Sequence, residues 1–145
     1  MNIKIHNTPL SFNLHGFSGI AQNKDHAGTA FRLMDKMWQI VKGKELKNKG
    51  LNIWVYEAGE KVFAGVELNE TPGENTGLEQ KTITLNKYAY YKHIGPYSLI
   101  KQAGKNMRDE IKRMGFETTL PYVEIYGHWT NDESKLETEL LICLE

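Results

Sequence analysis

Hydrophobic and polar positions recur along this chain with two different periods. A spacing of three or four residues links Phe31, Met34, Trp38 and Val41, and again Ile100, Ala103, Met107, Ile111 and Met114. On a helix such positions share one face, so two amphipathic helices are predicted. Gly43 and Gly115 follow these segments and suit helix stops. Elsewhere the period is two. LNIWVYE from 51, KVFAGVEL from 61, KYAYYKH from 87, PYVEIYG from 121 and LETELLICL from 136 alternate as strands do, with a weaker run, LSFNLHGFSGIA, from 10. AGE at 58–60 makes a short hairpin connection and GHWTNDESK at 127–135 a longer polar one. NETPGENTGLEQ, with Pro72, Gly73 and Gly77, is the exposed connection at mid-chain.

The order strand, helix, strand, strand is therefore written twice, once on each side of that connection. It marks pseudo-repeat halves at approximately 1–70 and 80–145 of a single domain. Trp54 and Tyr56 align with Glu124 and Tyr126 at one common offset of 70 residues (54 to 124, 56 to 126), each pair just after its helix. The expected fold class is α+β, with duplicated strand-helix-strand-strand units and helices packed on antiparallel sheet.

Successive strand residues point to opposite faces, so Val123 and Ile125 oppose Tyr122, Glu124, Tyr126 and His128. Ile53 and Val55 likewise oppose Asn52, Trp54 and Tyr56. The helices are expected on the aliphatic face. Phe63 is placed with the aromatic set, opposite Val62, Ala64 and Val66. A face lined by Trp54, Tyr56, Phe63, Tyr122 and Tyr126 around Glu124 has the character of a small-molecule site, with flat apolar walls and few polar groups. Burial disfavours the ionised carboxylate, while phenol hydroxyls in reach favour it. An ionised Glu124 among rings attracts an organic cation, which each ring face holds with about 0.5–2 kcal/mol. The competing structural reading is an exposed edge strand whose tyrosines reflect strand propensity alone.

Composition narrows the alternatives. At 145 residues the chain suits one core. Lys plus Arg and Asp plus Glu both number 18, so the chain lacks the excess positive charge of nucleic-acid binders, and no direct DNA binding is expected. A lone cysteine, Cys143, rules out an internal disulfide or a cysteine metal cluster and fits a reducing cytoplasm. It is expected as a packed thiol rather than a nucleophile. The N-terminus has no secretory pattern and no window reaches the length of a membrane span. His6, His15, His26, His93 and His128 lack metal-ligand spacing, so neither a metal nor another cofactor is predicted.

Two stretches, YAYYKHIGPY at 88–97 and PYVEIYGHW at 121–129, carry a family resemblance. A strand ending in H-x-G-P-Y (His93, Gly95, Pro96, Tyr97), a helix, and a P-x-x-E-x-Y strand (Pro121, Glu124, Tyr126) resemble the GyrI-like small-molecule-binding domain, also found as the effector-binding domain of bacterial multidrug-responsive transcription regulators. FSGIAQN at 17–23 and NIWVYEAGEKVFAGVEL at 52–68 extend the likeness into the first half. The resemblance implies a pseudo-twofold domain around a central ligand cleft, with Glu124 as counter-charge for cationic aromatic ligands and Tyr126 beside it. Trp54, Tyr56, Phe63, Tyr90 and Tyr122 join the expected ligand-binding set on strand geometry. Because 145 residues leave no room for a DNA reader, a free-standing binding or sequestering protein is expected. Two alternatives are hydrolysis of cyclopropanoid-type toxic compounds, with Glu124 and Tyr126 catalytic, and a gyrase-inhibitor-like protein interaction, for which the sequence identifies no interface.

Overall fold

The computed structural model describes residues 1–145. Its elements are β1 (Lys4–His6), β2 (Leu10–Ile20), α1 (His26–Gly43), β3 (Asn52–Glu57), β4 (Lys61–Val66), β5 (Glu79–Leu85), β6 (Tyr88–Ile94), α2 (Ile100–Arg113), β7 (Thr118–Tyr126) and β8 (Glu137–Leu144). The strands join in one antiparallel sheet of order β1-β6-β8-β7-β3-β4-β2-β5. About the central β3–β7 seam, β3-β4-β2 on one side answers β7-β8-β6 on the other. The fold is α+β with pseudo-twofold duplication, as the element order predicts. Two strands escape the sequence reading, β1 and β5. Each leads its own half yet pairs with the other: β1 with β6, β5 with β2.

The offset of 70 runs through the helices as well as the strands. Met37 and Met107, both fully buried, are equivalent, as are Val41 and Ile111. The two helices end on matching bonds. Lys44 N–H donates to the Ile40 carbonyl and Leu46 N–H to that of Val41; Met114 N–H donates to Glu110 and Phe116 N–H to Ile111. This terminus needs a residue in the left-handed region, which glycine adopts without a Cβ clash. Gly115 (φ 89) supplies it in α2, but in α1 the position falls to Glu45 (φ 53). Gly43, the expected stop, is simply the last helical residue. Replacing Glu45 by glycine is therefore expected to stabilise the chain by about 0.5–1 kcal/mol, relief of the left-handed strain outweighing the entropy of the added glycine. A rise in melting temperature of about 1–4 °C checks it.

The connection between β5 and β6 determines the shape of the sheet. These strands lie towards opposite ends of the order, yet only Asn86 and Lys87 separate Leu85 from Tyr88. Three virtual bonds span about 11 Å at most, so the sheet must curl until its ends approach. Its inner face closes on a core that includes Phe12, Leu14, Val55, Phe63, Leu85, Val123 and Leu141. Both helices lie on the outer face. Ala30 of α1 packs with Trp54, Val62 and Ala64, and Met107 and Ile111 of α2 with Tyr122, Leu140 and Ile142.

This corrects the expected assignment of faces. The aliphatic side of β3 and β7 is buried by the sheet's own curl, which leaves the side bearing Glu124 and the rings for the helices. The stripe on α1 is also rotated from the expected one. Ala30, Met37 and Val41 point inward, Trp38 is half-buried and Phe31 is exposed, because the small Ala30 lets the helix approach β3 and β4 closely. Met114, beyond the end of α2, is exposed. No helix is long and apolar enough to cross a membrane.

Candidate functional site

Cross-strand register assembles the site. On the outer face Trp54 of β3 lies directly opposite Glu124 of β7, and Tyr56 lies opposite Tyr122. Alternation places Tyr122, Glu124 and Tyr126 in one column along β7. Trp54 and Glu124 are also the pair related by the offset of 70, so the pseudo-twofold axis passes between an indole and its equivalent carboxylate.

Glu124 is 7% exposed and accepts three hydrogen bonds from phenols. Tyr56 Oη donates to Oε1 at 3.0 Å, Tyr126 Oη to Oε1 at 2.8 Å, and Tyr122 Oη to Oε2 at 2.7 Å. An ionised carboxylate is acceptor-only, and this ring of donors satisfies it. Burial first, and then the Glu124 charge, pushes the Tyr56, Tyr122 and Tyr126 phenols far above their ordinary range. The rings also contact one another. Tyr56 and Tyr122 stack with centroids 5.5 Å apart, Trp54 tilts against Tyr126 at 4.6 Å, and Tyr97 meets Tyr126 edge-on at 5.6 Å.

Five of the seven expected binding residues thus come together: Glu124, Tyr126, Tyr122, Tyr56 and Trp54. Phe63 and Tyr90 do not. Val55 pairs with Phe63 and Leu141 with Tyr90, which puts both rings on the inner face with Val55 and Val123. The three-residue turn at 58–60 is the cause for Phe63. It makes Glu57 and Lys61 the closing pair, so odd-numbered residues of β3 meet odd-numbered residues of β4. Tyr90 instead lies near Glu139, and burial followed by that carboxylate's hydrogen bond pushes its phenol up to about 12.

Three further residues belong to the surroundings of Glu124 and were not in the expected set. Tyr97 is held by the H-x-G-P-Y turn, in which the His93 ring nitrogen Nε2 lies 3.1 Å from the Pro96 carbonyl and Gly95 N–H donates to the Leu136 carbonyl. Arg108 places its guanidinium 4.8 Å from the Tyr122 ring centroid. Gly104 leaves space there, since a Cβ at that position would lie 3.2 Å from Arg108 Nη1 and 3.9 Å from Tyr122 Oη. Two surface hollows flank the helices. One of about 640 Å³ runs along exposed α2, lined by Ser98, Lys101, Gln102, Lys105, Arg108 and Asp109; the other, about 390 Å³, sits at the end of α1. No cluster of three metal-ligating side chains is present.

The fold and this cluster make the chain a duplicated α+β domain with a carboxylate enclosed by rings at its pseudo-twofold axis. The particular fold is that of the GyrI-like domains. SAV2435 bound to tetraphenylphosphonium is similar over 100% of this chain and 94% of its own, with a TM-score of 0.67 and 19% identity. The C-terminal domain of EcmrR is similar over 100% of this chain and 99% of its own, with a TM-score of 0.74 and 15% identity. A hydrolase from Listeria innocua is similar over 99% of this chain and 91% of its own, with a TM-score of 0.59 and 11% identity. Neither a protein-family model nor a curated protein sequence matches the chain.

Proposed function

We propose that this chain binds hydrophobic, aromatic organic cations, as a binding or sequestering domain, with Glu124 as counter-charge. The observation that carries this reading is the triple engagement of one buried carboxylate by Tyr56, Tyr122 and Tyr126. Phenols neutralise no charge, so the site keeps a negative centre among rings whose electron-rich faces favour a diffuse cation. A small hydrated cation gains little from such walls, whereas a lipophilic one brings apolar surface to bury. The likeness in fold to SAV2435 bound to tetraphenylphosphonium supports the same ligand class.

Tetraphenylphosphonium and the neutral triphenylphosphine oxide, titrated by tryptophan quenching, test the reading; Trp54, against Tyr126, is the expected reporter. Glu124→Gln is expected to weaken the cation roughly 10- to 100-fold while changing the neutral probe little. Equal cation affinity in both chains would reject the counter-charge. Hydrolysis asks the same glutamate to exchange protons with water or substrate. With both oxygens engaged by phenols whose protons are firmly held, the arrangement favours holding a charge over shuttling a proton.

A further inference from the structure

The two halves differ most where their helices cross the central strands. At the offset of 70, Trp38 corresponds to Arg108, Met34 to Gly104, and Asn52 to Tyr122. In the first half the gap under the helix is filled: Met34 packs in the core beneath α1, and the Trp38 indole N–H donates to Asn52 Oδ1 at 2.6 Å. In the second half the same helix-to-strand contact is Arg108 over Tyr122, with no side chain at Gly104. One face of the Tyr122 ring stacks on Tyr56, which leaves the other for the guanidinium. Arg108 itself is exposed and lines the wide hollow along α2.

We propose that Arg108 is the resident cation of this site and determines its specificity: its guanidinium occupies the Tyr122 face that a ligand cation takes, and ligands reach Glu124 from the α2 side, past Gly104, by displacing it. The inference rests on the cation-binding reading above. Its chemistry selects large, delocalised cations whose apolar bulk offsets the displaced guanidinium contact, and it disfavours small ammonium ions. Arg108 is free to leave because it has no ion-pair partner, whereas its equivalent Trp38 is tied down by a hydrogen bond.

Titrating tetraphenylphosphonium and triphenylphosphine oxide into the wild type, Arg108→Met, Arg108→Lys and Gly104→Met tests this. Arg108→Met is expected to bind the cation about 3- to 30-fold more tightly, the span of the one cation–ring contact that a ligand must displace, and the neutral probe more tightly as well, since it displaces the same guanidinium. Arg108→Lys, which keeps the charge, should stay near wild type. Gly104→Met, which imports the first-half residue, should weaken both probes at least about tenfold, with thermal melts confirming that it folds. Cation binding by the wild type without a gain in Arg108→Met overturns the proposal and leaves the cation-binding reading standing. Failure of every chain to bind either probe overturns both.

Discussion

Truncating Phe63 to alanine is expected to lower the unfolding free energy by about 3–5 kcal/mol, the usual cost of deleting a fully buried ring. Phe63 is 1% exposed and packs among Val55, Leu14 and Val123 where the sheet curls on itself, so relaxation around the lost ring is limited. The milder Phe63→Leu should retain the fold and leave affinity for tetraphenylphosphonium within about twofold of wild type, because the inner face is separated from Glu124 by the sheet itself. Urea unfolding measures the first effect and tryptophan quenching the second. A large change in affinity with Phe63→Leu would return this ring to the binding set.

High pH should unfold the chain steeply, chiefly through the phenols around Glu124. Unfolded tyrosines ionise near pH 10, whereas Tyr56, Tyr122 and Tyr126 keep their protons well beyond that in the folded state, through burial first and the Glu124 charge second. Above about pH 10 the unfolded state therefore binds fewer protons than the folded state, so stability falls as pH rises. Below about pH 9 these groups contribute no slope. Each retained proton costs about 1.4 kcal/mol per pH unit, and three together about 4 kcal/mol per unit. Against a total of about 5–15 kcal/mol for an ordinary domain, loss of the fold is expected between about pH 11 and 14. Urea midpoints from pH 8 to 12, with phenolate absorbance followed in parallel, check this. Tyr56→Phe should remove about 1.4 kcal/mol per pH unit from the alkaline slope, to which Tyr90 also contributes up to about pH 12; an unaltered slope would separate that phenol from the effect.

The residues around Glu124 were legible because strand alternation is a strict rule and the offset of 70 aligned Trp54 and Tyr56 with Glu124 and Tyr126. Phe63 was misplaced although its position was within reach. The three residues of the turn AGE alone imply that Val55 meets Phe63. Tyr90 offered no such handle, since it follows the long mid-chain connection and register across that gap is a tertiary matter. β5 was overlooked because only Ile83 and Leu85 of its residues turn fully inward, too few to stand out from the polar loop before it. The aliphatic side of β3 and β7 does not take the helices, because a curling sheet buries its own inner side. Arg108 and Gly104 could have been found by carrying the offset back into the helices, where they replace Trp38 and Met34.

The exchange of leading strands makes the duplication inseparable. With β1 hydrogen-bonded to β6 and β5 to β2, a cut in the connection between β4 and β5 would leave each fragment with an orphaned strand and a bare seam, β3 in one and β7 in the other. The two halves complete each other, and the enclosure of the carboxylate at their junction forms only when both are clasped.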